Sequence, residues 1–166
     1  DTSLLLADSA TGVLQPAETS PYTGAPLGVT YSAPTATEAL AAATAAAPSL
    51  ASADPAARVG VCLEALHRIH QAGTEIAAVT SHTTGQSLNM ACSGSGTNAL
   101  DRGLEAVAMA WAAMSRVPQG VVWQQQFGRS TVELHKSYRI KPVGTALVIA
   151  CASFPAWNAY PAILAN

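Results

Sequence analysis

The sequence predicts an α/β fold, in which a helical layer leads into the first strand and helix of an open sheet. Three observations carry this. Apolar residues recur at helical spacing through the first two thirds of the chain, as at Val59, Cys62, Leu63, Leu66 and Ile69 or His70. The stretch "STVELHKSYRI", residues 130–140, alternates as a strand with one wet face does. The stretch "GTALVIACA", 144–152, is continuously apolar, as a strand covered on both faces should be, and a helix begins beyond it near Ala156.

Residues 1–34 are rich in Ser, Thr, Pro and Gly and read as an extended arm. "TSPYTGAPLG" (19–28) is its turn, and extended backbone follows around 29–32. Residues 35–128 make the helical layer. Its first helix, 35–47, rests on alanine propensity, with Thr35 or Thr37 as cap and Pro48 as its stop. The second, 54–73, has Asp54 as N-cap, Pro55 at the first helical position and Gly73 at its end. A third covers 74–84, breaks at Gly85 and resumes through Met90. "SGSGTN" (93–98) imitates a phosphate loop, but no strand precedes it and no Gly-Lys-Ser/Thr follows, so it reads as a loop. The fourth helix, 98–116, takes Thr97 or Asn98 as cap. Its stripe is Leu100, Leu104, Val107, Trp111 and Met114, and Pro118 lies beyond its end. Residues 129–141 hold the amphipathic strand, and 142–166 open the second, α/β unit.

With 166 residues, this is about one domain's worth of chain. Apolar residues make up 49% and charged ones only 11%, so part of the surface is expected to be covered by other protein. The net charge of −2, without a basic block, argues against nucleic acid and anionic membrane as partners. No apolar run reaches the roughly 20 residues of a spanning helix. The N-terminal "DTSLLLADSA" lacks the basic region of a signal peptide, and a start on Asp1 implies that residues ahead of it are missing. Cys62, Cys92 and Cys151 are odd in number and widely spaced, which suits reduced thiols in a cytoplasmic protein.

In open α/β sheets ligands bind outside the carboxyl ends of the strands, where helix N-termini offer free N–H groups. Cys151, Ala152 and Ser153 occupy that place, and small side chains there admit a ligand to the backbone. The same residues equally make a tight strand-to-helix turn. No GxGxxG follows the strand, so an ordinary dinucleotide fingerprint is absent. His67, His70 and Glu64 share neighbouring helical turns but lack the further cluster a metal needs, and no metal is expected. For His82 and Gln86, in "HTTGQ", helix-end capping outweighs contact with a substrate. All three cysteines read as structural thiols.

The segment "KPVGTALVIACASFP" resembles the aldehyde dehydrogenase pattern of Pro-x-Gly, a buried strand, then Asn-Phe-Pro. "PYTGAPLGV" is similar to that family's early Pro-x-Thr-Gly turn, "ATEALAAATAAA" to its Ala-rich first helix, and "ARVGVCLEALHRI" to the helix with an Arg before a Leu-rich face. Three further blocks, "HTTGQSLNMA", "DRGLEAVAMA" and "FPAWNAYPAILA", resemble the phenylacetate-degradation branch, the PaaN proteins. The resemblance implies the N-terminal part of the aldehyde dehydrogenase fold: helical layer, oligomerisation strand, and the first strand and helix of the NAD(P)-binding sheet.

It also implies a site. The family's oxyanion donor, the Asn of Asn-Phe-Pro, falls on Ser153 here, and a hydroxyl can still donate one hydrogen bond. A register through Trp157 and Asn158 would make Asn158 the donor, but it needs a five-residue insertion and is set aside. Ile149, Ala150, Cys151, Ala152 and Ser153 would line the nicotinamide side of NAD or NADP, and Phe154 and Asn158 the substrate tunnel. The family's nucleophilic Cys, general-base Glu and cofactor-gripping Lys have no match in these residues. The implied enzyme oxidises an aldehyde, a CoA-linked semialdehyde in this branch, to a carboxylate through a Cys thiohemiacetal. It works as a homo-oligomer, a dimer or tetramer, and these residues alone would be inactive. Two other readings stand beside it: a non-catalytic oligomerisation protein, and the same fold acting on acyl-CoA.

Overall fold

The computed structural model describes the backbone of residues 13–16, 19–27 and 30–166, and the side chains of 19–27 and 34–166. The reading of "DTSLLLADSA" lies outside the described residues, as does part of the arm. Within the arm, β1 (Val13–Pro16) pairs antiparallel with β2 (Thr30–Ala33). The expected turn lies between them. Ser20 N donates to Ala25 O, and Gly24 takes the left-handed conformation, φ 67°, that the reversal requires.

Helix α1 (Ala36–Ser52) is capped by a reciprocal box: Glu38 N donates to Thr35 Oγ1, and Thr35 N donates to the Glu38 carboxylate. Pro48 does not stop it. The helix continues through the proline to Ser52, carried by the alanines on either side. No residue of α1 is buried, so its faces await cover.

Helix α2 (Pro55–Gln71) starts as expected, with Ala57 N donating to Asp54 Oδ1. Its end differs. Ala72 is the cap, and Gly73 opens α3 (Gly73–Thr84). Helix α3 then stops where expected, at Gly85, φ 74°, whose N–H donates to Ser81 O. The chain then enters α4 (Leu88–Ala91), with Ser87 as cap.

Residues 93–98 are not a loop. Cys92–Gly96 form one wide π-helical turn between α4 and α5 (Thr97–Met114), and Gly94, Ser95 and Gly96 are buried. Neither Thr97 nor Asn98 caps α5. The Asn98 amide instead donates across the wide turn to Ser93 Oγ at 2.7 Å. The turn has a packing cause: a Cβ on Gly94 would lie 2.8 Å from Cδ1 of Phe154.

The α5 stripe also differs from expectation. Ala99, Gly103 and Val107 are buried, while Leu104 and Trp111 are exposed. Small residues face inward because α5 lies close against both α2 and α6 (Pro155–Ala165). A Cβ on Gly103 would stand 2.9 Å from Leu66 Cδ2 and from Leu164 Cδ1. Leu66, on α2, is the large side chain of this core, and its burial contributes about 1.5–3 kcal/mol.

The strand read at 129–141 is the second arm of a hairpin. β3 (Gly120–Phe127) and β4 (Ser130–Ser137) pair antiparallel, with Gly128 at φ 62° in the turn. β3 lies inside the region read as helical layer, and it went unseen because "VVWQQQ" does not alternate. All residues of both strands are exposed.

The expected buried strand is a correction too. Residues 144–152 form no strand, and Leu147 and Ile149 are each 85% exposed. A central strand needs neighbours for its N–H and C=O groups, and the described residues offer none beside it.

Candidate functional site

Residues 145–151 carry no regular secondary structure, and the chain turns into α6 at Phe154, φ −137°, with Pro155 at the first helical position. Proline suits that place because it has no N–H to leave unpaired. The turn gathers three donors on one sulfur. Asn158 Nδ2 lies 3.1 Å from Cys151 Sγ, the Phe154 N–H 3.3 Å and Ser153 Oγ 3.5 Å. Asn158 Nδ2 also donates to Phe154 O at 3.1 Å, which fixes the amide over the first turn of α6.

These donors favour the thiolate, so the Cys151 pKa is lowered. The Ser153 hydroxyl is the chief cause, followed by the Phe154 N–H, with a smaller opposing effect of desolvation and further help from Asn158. Cys62 behaves in the opposite sense. It sits half-buried on α2, its Sγ 3.7 Å from Leu164 O, and burial raises its pKa. Cys92 is exposed. The reading of Cys62 as a packing thiol agrees with this geometry, whereas Cys151 stands in a field suited to negative charge.

Sequence reasoning assigned Ser153 and Asn158 different duties and set aside the register that made Asn158 a donor. The structure brings both to one point. Phe154 and Asn158 do share a face, and with Met90, Ser93, Gly94, Asn98 and Trp157 they line a cleft of about 330 Å³. Met90, Ser93, Gly94 and Asn98 come from another part of the chain, and only the Ser/Gly run hinted at them. Arg102 lies over the Trp157 ring, 5.7 Å from its centroid, at the rim of this wall. Ile149, Cys151, Ala152 and Ser153 are exposed in the segment before α6. Their backbone and, Ile149 apart, short side chains are open to a flat ligand.

Gln86 does more than cap a helix. Its side-chain Nε2 donates to the carbonyl oxygen of Ser153. His82 is exposed at the end of α3. Glu64 is paired with Arg68 and His67 with Gln71, and among the described residues no three potential ligands gather around a metal. Among them, too, no helix is long and apolar enough to cross a membrane.

No protein-family model and no curated protein sequence matches this chain. A solved structure does. The crystal structure of an NAD-dependent aldehyde dehydrogenase from Burkholderia multivorans superposes with a TM-score of 0.87 and 41% sequence identity over 98% of this chain. The chain spans 29% of the length of that enzyme. Its fold is therefore that of a portion of an aldehyde dehydrogenase, and the similarity supports that superfamily.

Proposed function

We propose that this chain is the N-terminal segment of an NAD(P)-dependent aldehyde dehydrogenase of the phenylacetate-degradation branch. The full protein would oxidise a semialdehyde, CoA-linked at its far end, to a carboxylate in the cytoplasm. The observation that supports this best is the convergence of Ser153 Oγ, the Phe154 N–H and Asn158 Nδ2 on one point at the N-terminus of α6. Hydrogen-bond donors fixed in advance toward developing negative charge are what an attack on an aldehyde carbonyl needs.

In this reading Ser153 and Asn158 share the work of the oxyanion donor, and the positive end of the α6 dipole adds to them. Cys151 reports the field they create. The attacking thiolate belongs to a residue outside these 166. Residues Ile149–Ser153 would hold NAD or NADP, and a bound nicotinamide supplies the hydride acceptor. Phe154, Trp157 and Met90 would give the aldehyde an apolar wall, with Asn98 and Ser93 for a polar tail. Helix α1 and the exposed hairpin would be covered by the rest of the protein and by a second subunit, as the sparse charge suggests.

The test is aldehyde-dependent reduction of NAD⁺ or NADP⁺ by the full-length protein, with free and CoA-linked semialdehydes as substrates. No reduction with any of them would sink the reading. A serine in the donor position favours one rival, the same fold acting on acyl-CoA. Acyl-CoA turnover without aldehyde oxidation would select it.

A further inference from the structure

Gln86 is tied into the fold from three directions before its side chain reaches the site. Tyr22 Oη and Ser81 Oγ both donate to its carbonyl oxygen, at 2.5 and 2.7 Å, and its own N–H donates to Thr84 Oγ1 at 3.3 Å. The preceding Gly85 is in the left-handed conformation, and a Cβ on it would lie 2.9 Å from Pro21 Cγ. The Pro21–Tyr22 turn thus clamps the backbone of Gln86. From that anchor the side chain spans to Ser153, 67 residues later, and Nε2 donates to its carbonyl.

The other end of the amide argues that this bond is what the residue is there for. Gln86 Oε1 is buried and, among the described residues, has no hydrogen-bond partner. An orphaned acceptor is a cost that an apolar side chain of similar shape would avoid, so the N–H donor is the part that matters. Helix-end capping would need only the backbone.

We propose that Gln86 is a positioning residue: by holding the Ser153 carbonyl it orients the 151–158 turn so that its donors converge on one point. This rests on the reading of that turn as the oxyanion-donor site. Peptide 153–154 has the Ser153 carbonyl on one side and the Phe154 N–H on the other, so a grip on the first aims the second at Cys151 Sγ. Hydrogen bonds from Ser153, Phe154 and Asn158 account for the lowered Cys151 pKa, with no ionised side chain contributing. The charged group packed on this end of α6 from α5 is Arg102, over Trp157.

The experiment compares Gln86→Met with the unaltered full-length protein. Methionine keeps the shape and removes both the donor and the orphaned acceptor, so thermal stability should stay nearly unchanged. The readout is the pH profile of iodoacetamide alkylation at Cys151, resolved by peptide mass spectrometry, with Cys62 as internal control. The expected result is a Cys151 profile displaced to higher pH, with alkylation at neutral pH slowed about three-fold or more, and an unmoved Cys62. An unmoved Cys151 profile in a folded Gln86→Met protein overturns the proposal. Should that variant not fold, Tyr22→Phe loosens the same anchor from the surface. A smaller displacement of the same sign is then expected, and none overturns it. The profile is readable whether or not an aldehyde is oxidised, so its failure and that of the proposed enzyme activity are separate results.

Discussion

Arg58 reaches Ile140, 82 residues further along the chain, with Nη2 3.0 Å from its carbonyl oxygen. The same guanidinium donates through Nε to Ala53 O at 3.1 Å and through Nη2 to Ala51 O at 3.2 Å. One side chain at the start of α2 therefore closes the end of α1 and holds the strand exit that leads to the site.

Replacing Arg58 by Ala should cost about 1–3 kcal/mol, because the carbonyls at 51, 53 and 140 lose a charged donor together. Arg58→Lys should restore less than half of that, since one ammonium cannot fork among the three. Thermal or urea unfolding of the three proteins checks the order.

In the full-length protein, if it is the proposed dehydrogenase, Ser153→Ala and Asn158→Ala should each lower kcat by about 10²-fold, with KM little altered. Both donate to one point, so the double variant should lose less than the product of the two losses. Strict multiplication of the losses would mean that they act at separate places.

Alkylation of Cys151 should rise at lower pH than that of Cys62. The donors around Cys151 lower its pKa, so its thiolate persists to more acid solution, whereas burial raises that of Cys62. For stability the signs are opposite as well. Above the ordinary thiol range Cys62 ionises first in the unfolded chain, which weakens the fold as pH rises. The Cys151 donors contribute above that range, and their contribution is lost as pH falls through its lowered folded value. Site-resolved alkylation from pH 6 to about pH 10 reads the order.

Gly94→Ala should disturb the site more than the fold. The added Cβ meets the Phe154 ring at 2.8 Å, and the ring can yield only by shifting the start of α6. A loss of kcat, with a drop in stability of no more than about 1–3 kcal/mol, is the expected pattern.

Much of this was legible in the sequence because local chemistry decided it. Asp54 and Pro55 begin a helix, Thr35 caps one, and Gly85 ends one, each through contacts within a few residues. What stayed hidden depends on distant neighbours. The π turn at 92–96 answers to Phe154, the small-residue face of α5 to Leu66 and Leu164, and the Gln86 arm to Ser153. Residues 144–152 show the converse. Their apolar run reads as a central strand, but being one depends on strands that must come from elsewhere.

The wide turn between α4 and α5 acts on angle as well as on space. Each residue of a helix advances about 100° around its axis, so a turn that closes one residue late resets the clock for all that follows. Deleting one residue from 92–96 would leave a smoother helix, with Asn98, Gly103 and Val107 carried a quarter-revolution or more from the walls they meet. In that sense the five residues Cys92–Gly96 are a gear tooth, and the site at Phe154 is timed by it.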